Sequence, residues 1–199
     1  MNGTVQKKSF FSPPVSRKEI LRYAGMVSEE GAVSELLSEC LREAEDKLSY
    51  QICYRVLPVS ISGKRVDLGE MTISSENLAR NLSGCDRAVL FAATLGVGVD
   101  RLITKYTRLS PVKALLFQAI GTERIEALCD RFCHQIEEEN QKKTRPRFSP
   151  GYGDVDLAVQ REVFSALSPT KWIGLSLGEN LIMSPSKSVT AFVGLVDEK

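Results

Sequence analysis

The sequence predicts an α+β fold: a twisted, mainly antiparallel sheet flanked by helices, with one long helix packed across it. Three observations carry that expectation. Stretches rich in β-branched and aromatic residues flank the turn signal Ser62-Gly63-Lys64 as hairpin partners. Ala88 to Leu95 is apolar almost without interruption, as a central strand should be. From Pro111 to Glu139 apolar residues recur at helical spacing.

A chain of 199 residues with 43% apolar content suits one domain, 1–199, with residues 1–15 as an extended lead-in. The formal net charge of +1 provides no global field toward nucleic acid or an anionic membrane. Lysines near the N-terminus have no continuous apolar run behind them, so the sequence predicts neither a signal peptide nor a membrane span. Five cysteines, an odd number in apolar or helical contexts, fit reduced thiols in a cytoplasm better than a disulfide framework.

Along the chain, Ser12-Pro13-Pro14 ends the lead-in and Ser16 is placed to cap a helix over Arg17 to Ala24. From Ser28 to about Leu48, Val33, Leu36, Leu37, Cys40, Leu41, Ala44 and Leu48 share one helical face. Ser49 to Ser62 reads as a strand in which Pro58 marks an edge or bulge, and Arg65 to Ile73 returns beside it. Ser74 or Ser75 caps a short helix through Leu82. Thr94-Leu95-Gly96-Val97-Gly98 then leads into a helix from Val99 to Leu109. Its two glycines lack the third glycine and the Lys-Ser/Thr of nucleotide loops, so they give little support to a phosphate site.

Ser110-Pro111 is a helix start, with the hydroxyl expected to cap, and the apolar face shifts near Gly121, which predicts a kink or a change of packing partner. Cys129, Cys133 and His134 lie on this helix. His134 turns about 100° from Cys133, so the three do not converge on a metal, and buried thiols are the simpler reading. With one histidine in the chain, a Ser-His-Asp hydrolase is hard to build. Farther on, Asp154 or Asp156 is placed to cap a helix reaching Leu167, with Leu157, Val163, Phe164 and Leu167 inward. Ser168-Pro169 stops it, and Ile173 to Leu177 and Ser188 to Leu195 read as two strands joined by a loop at 183–186.

The densest binding chemistry is the octet Arg147-Phe148-Ser149-Pro150-Gly151-Tyr152-Gly153-Asp154. Arg147 offers a planar fork of donors suited to a carboxylate or phosphate, and Tyr152 a flat face with a polar tip. Pro150, Gly151 and Gly153 let the chain turn sharply, exposing the backbone from Ser149 to Gly153 to a ligand. On these eight residues alone, a Pro-Gly turn with a solvated arginine explains the pattern equally well.

Beyond the octet, RFSPGYGDVDLAVQREVFSAL and IGLSLGENLIMSPSKSVTAFVGL continue the pattern. Through Arg147, Pro150, Gly151, Tyr152, Gln160, Phe164, Ile173, Gly174, Glu179, Met183, Pro185, Ser188, Val189 and Ala191 this half of the chain resembles the activation (reactivation) domain of cobalamin-dependent methionine synthase. The first half resembles it in layout, including the Ala-Thr-Leu-Gly segment. One departure is Gly178-Glu179-Asn180, where relatives often read Thr-Glu-Ser.

The resemblance implies binding of S-adenosylmethionine and presentation of its methyl group to a cobalamin carried by a partner, with a low-potential electron donor such as a flavodoxin reducing the cobalt. The chain has no Asp-x-His-x-x-Gly cobalamin segment, which implies a stand-alone subunit acting in trans on a methionine synthase or related corrinoid protein. A non-catalytic module that binds S-adenosylmethionine or a corrinoid protein is the alternative. In this reading Arg147 takes the cofactor's carboxylate and Ser149, Pro150, Gly151, Tyr152 and Gly153 approach its rings. Glu179 pairs either with the cofactor's cationic end or with Lys187 in a salt bridge. An acidic residue from Glu123 to Glu126 is a looser match to the same site.

Overall fold

The computed structural model describes residues 3–26 and 31–197. Its strands are β1 (Gln6–Phe10), β2 (Tyr50–Pro58), β3 (Ser60–Ser62), β4 (Arg65–Asp67), β5 (Thr72–Ser74), β6 (Arg87–Thr94), β7 (Lys143–Thr144), β8 (Ser176–Leu177), β9 (Met183–Ser184) and β10 (Ser188–Val196). The helices are α1 (Arg17–Tyr23), α2 (Ala32–Ala44), α3 (Glu76–Asn81), α4 (Gly98–Leu109), α5 (Pro111–Asn140), α6 (Gln160–Leu167) and α7 (Pro169–Ile173).

Five strands form the main sheet in the order β1-β2-β6-β10-β7, every neighbouring pair antiparallel. The strand that comes last in sequence thus lies inside the sheet, between β6 and β7. Two-residue alternation splits β2, β6 and β10 between two faces. Tyr50, Ile52, Tyr54, Val89, Phe91, Ala191 and Val193 face α5, meeting its Ile125, Leu128, Phe132 and Ile136. Cys53, Leu57, Leu90, Ala92 and Phe192 face the other way, onto α3, α6, α7 and the small sheet β3-β4-β5.

Helix α5 is unbroken through Gly121, but its partner changes there. Leu116, Phe117 and Ile120 pack with α1, α2 and α4, whereas Ile125 onward packs on the sheet. The expected change of packing partner accounts for the shifted face. At Gly121 a Cβ would meet the stem of Lys187 at 2.8 Å, so this turn of the helix is narrowed to admit a side chain from the start of β10.

Several local expectations are corrected. The helix expected from Ser28 begins at Ala32, and residues 27–30 lie outside the described residues. Ser110 precedes α5, but its side chain makes no cap hydrogen bond. Ile173 closes the short helix α7 after the left-handed Ser168, leaving only Ser176 and Leu177 of the expected strand. The loop at 183–186 supplies β9, which pairs with β8. Leu157 stays 42% exposed, so it is not among the inward residues of α6.

The glycines of the Thr94–Gly98 corner have a structural purpose. A Cβ on Gly98 would overlap the Lys47 carbonyl oxygen and lie 2.8 Å from the carbonyl carbon. The bare backbone lets α4 begin against the short turn, Glu45–Lys47, that follows α2. The lead-in is held just as firmly, because Arg124 is 1% exposed and donates to the carbonyls of Pro13 (2.6 Å) and Pro14 (2.7 Å). Its neighbour Glu123 accepts from the Ser16 amide at 3.0 Å. Among the described residues no helix is long and apolar enough to cross a membrane.

Candidate functional site

The segment after α5 follows the free edge of β10. Thr144 pairs with Leu195, and Arg145 donates its amide to Gly194 at 2.8 Å. Phe148 then exchanges both backbone hydrogen bonds with Phe192, at 2.9 and 2.8 Å. Between these contacts the segment has one residue more than β10, a bulge at Pro146 and Arg147, where proline's missing N–H does no harm. The extra residue sets the side-chain directions. Phe148 packs into the core beneath the sheet, while Arg147 is carried to the opposite side, over α5.

There Arg147 forks between two carboxylates one helical turn apart on α5. Its Nη1 donates to Asp130 and its Nη2 to Glu126, the latter at 2.6 Å. Burial works against the guanidinium's charge, but the Asp130 hydrogen bond and the charges of Asp130 and Glu126 raise its pKa above the ordinary value. A guanidinium has five N–H donors, so these two bonds leave others to take a ligand.

The octet closes into a tight loop. Gly151 donates to the Val155 carbonyl at 3.0 Å and Tyr152 to the Ser149 carbonyl at 3.1 Å. Gly151 and Gly153 have φ of 88° and 56°, a region that residues with a Cβ avoid. The space a Cβ would fill at Gly153 is occupied by Asn77 of α3, 2.6 Å away, and at Gly151 by Leu157, 3.3 Å away. Pro150 is buried, Ser149 is half-buried, and Tyr152 is 66% exposed, leaving its ring free to meet another flat surface.

Asp154 caps a helix, but not the one that follows it. Its carboxylate accepts from the Ser75 hydroxyl and from the amides of Glu76 (2.7 Å) and Asn77 (3.3 Å) at the start of α3. These contacts, the Ser75 hydroxyl first, lower its pKa. Asp156 performs the local task by accepting from the Ala158 amide at 2.7 Å. The loop is thereby tied to α3 on one side and to α5 on the other.

A cleft of about 910 Å³ runs across the loop between these helices, within the usual range for small-molecule sites. Arg147, Ser149, Tyr152 and Gly153 line it, joined by Glu126 and Asp130 from α5 and by Asn81 from α3. Sequence reasoning left Asp130 and Asn81 unassigned. The four-residue spacing of Glu126 and Asp130 on the polar face of α5 was the available signal; for Asn81 there was none.

Glu179 stands apart from the cleft lining, exposed in the turn between β8 and β9, where its carbonyl accepts from Arg161 at 3.1 Å. The alternative of a salt bridge to Lys187 is corrected. Lys187 runs its stem over Gly121 and donates to the Thr122 hydroxyl at 3.0 Å, away from any carboxylate partner among the described residues. Burial lowers its pKa, with Asp100 opposing. Cys129 is buried in the core and Cys133 borders the cleft, and burial raises both thiols, with Arg147 opposing. Both therefore stay protonated at neutral pH.

At the level of sequence, neither a protein-family profile nor any curated protein matches the chain. Among solved structures it is similar to one described as "Crystal Structure of the MetH Reactivation Domain bound to AdoHcy". The likeness has a TM-score of 0.70 and covers 98% of this chain and 79% of that one, at 13% identity. At that identity it shows the fold: α+β, a curled antiparallel sheet flanked by helices, one of them long.

Proposed function

We propose that the chain binds S-adenosylmethionine in the cleft between α3 and α5 and serves as a reactivation module, presenting the cofactor's methyl group for reductive methylation of a cobalamin held by a corrinoid protein. The observation that carries this reading is Arg147, set by the bulge between Glu126 and Asp130 at the edge of an open cleft. The residues present fit the cofactor's chemistry. Its amino-acid end has a carboxylate and an ammonium, and the cleft offers a guanidinium beside two carboxylates. Tyr152 provides a free aromatic face for a ring.

In this reading Arg147 holds the carboxylate, Glu126 and Asp130 attract the cationic centres, and the Ser149 to Gly153 loop approaches the nucleoside. Bound there, the cofactor would supply an activated methyl group. The protein's share is to orient it, and the ties of the loop to α3 and α5 fix that orientation before the ligand arrives. A methionine synthase or related corrinoid protein is the client in this reading, with a low-potential donor such as a flavodoxin as electron source.

Calorimetry with S-adenosylmethionine tests the reading. Wild type binds, and Arg147→Ala binds more weakly by about 2 kcal/mol, the loss of a charge-assisted hydrogen-bonded pair. An unchanged affinity removes Arg147 from the site, and no heat with wild type removes the cofactor. Cob(II)alamin spectra of a client, with reductant and S-adenosylmethionine, then separate the activator from a module that only binds: the activator accelerates loss of the cob(II) signal.

A further inference from the structure

The cleft that Arg147 lines also holds two polar groups that the protein leaves incompletely used. Asn81, at the end of α3, donates its Nδ2 to the Pro146 carbonyl at 3.1 Å, which fixes which way round the amide sits. Its Oδ1 is shut off from water and accepts no hydrogen bond, the single buried side-chain polar atom among the described residues in that condition. Such an acceptor is costly to leave unmade.

Arg145 donates to the Ser83 carbonyl at 3.2 Å and lies against the Cys85 thiol, which leaves further N–H donors of its five, and it makes no ion pair with a carboxylate among the described residues. Both side chains line the same cleft as Arg147 and Tyr152.

An acceptor next to spare donors matches a ligand edge that presents a donor next to an acceptor. The amino edge of adenine has that pattern, an exocyclic N–H₂ beside a ring nitrogen. Asparagine often reads such an edge with both amide atoms; here Nδ2 is already spent on Pro146, so the donor has to come from Arg145. A donor entering the cleft would give Oδ1 the partner it lacks while Nδ2 keeps its bond to Pro146.

We propose that Asn81 and Arg145 form a purine-edge subsite that selects 6-aminopurine nucleosides, an inference that rests on the S-adenosyl reading above. Asn81 accepts from the exocyclic amino group and Arg145 donates to the adjacent ring nitrogen N1. A 6-oxopurine reverses both requirements, setting its carbonyl oxygen against Oδ1 and its ring N–H against the guanidinium.

Equilibrium binding of two neutral thioethers, S-adenosylhomocysteine and S-inosylhomocysteine, tests this, because they differ only at that edge. Wild type prefers the adenosyl compound by about tenfold. Asn81→Leu brings the two within about threefold, whereas Asn81→Asp, which keeps the acceptor, retains the preference. Thermal melts of each variant establish that it is folded, and Arg145→Met provides a second variant that also narrows the ratio.

Equal binding of both compounds by wild type, or an unchanged ratio in Asn81→Leu and Arg145→Met, overturns the subsite and leaves the cofactor reading standing. Binding of neither compound to wild type overturns both.

Discussion

Ser75 and Asp154 are 79 positions apart, yet they share one hydrogen bond and cap one helix. Ser75 accepts from the Leu78 amide at 2.9 Å and donates to Asp154, which takes the amides of Glu76 and Asn77. Ser75→Ala removes the local cap and strips a donor from the loop's carboxylate, at a cost of about 1–2 kcal/mol. In a chain of this length that lowers the melting temperature by about 2–8 °C, readable by differential scanning calorimetry. Because Asp154 also anchors the octet, S-adenosylmethionine affinity should fall in the same variant. Sequence reading recognised Asp154 as a cap, but the helix it caps is decided by tertiary contact, which local spacing does not encode. The same limit hid the hold of Arg124 on the lead-in, since a charged residue on a helix reads as solvated until a buried carbonyl is found beside it.

Glycine means different things on different elements, and two substitutions separate the cases. At Gly98 a Cβ meets backbone, the carbonyl of Lys47 in the turn after α2, at 1.9 Å from its oxygen. Gly98→Ala should therefore destabilise by about 3 kcal/mol, as overpacking against a rigid wall does. At Gly121 a Cβ meets the flexible stem of Lys187, and alanine gains about 1 kcal/mol of helix propensity inside α5. Gly121→Ala should stay within about 1 kcal/mol of wild type, and urea titrations of both variants check the contrast. Long elements were legible in the sequence: β2, β6, β10 and α5 appear where periodicity and apolar runs put them. Short helices were legible where a serine caps them, as in α1 and α3, whereas the shortest elements were not. α7 and the β8-β9 hairpin span only a few residues each, too few for a period to register, and a left-handed Ser168 decides where α6 gives way to α7.

For the whole molecule, acid should be the weak side. Hydrogen bonds in the folded state lower the pKa of Glu137, of Glu43 and of Asp86, with the Thr144 amide, Lys105 and Lys142 as the respective leading causes. A carboxylate with a depressed folded pKa adds stability that is complete above its unfolded value and is lost as pH falls through the folded one. Urea midpoints should hold steady down to about pH 5 and then decline, since the ordinary value for glutamate here is 4.5. Glu137→Gln should be less stable than wild type at neutral pH, with the gap closing in acid; a gap independent of pH would remove Glu137 from that account. The candidate site was legible in the turn, through Arg147, Tyr152 and the glycines, but its other walls come from α3 and α5, which only the fold brings near. One feature of that turn bears on how the protein can change over time. Arg147 reaches α5 because of how many residues separate Thr144 from Phe148, whatever their identities. Lineages can therefore exchange side chains there with modest effect, while the deletion of a single codon would swing the arginine to the wrong side and silence the cleft in one step.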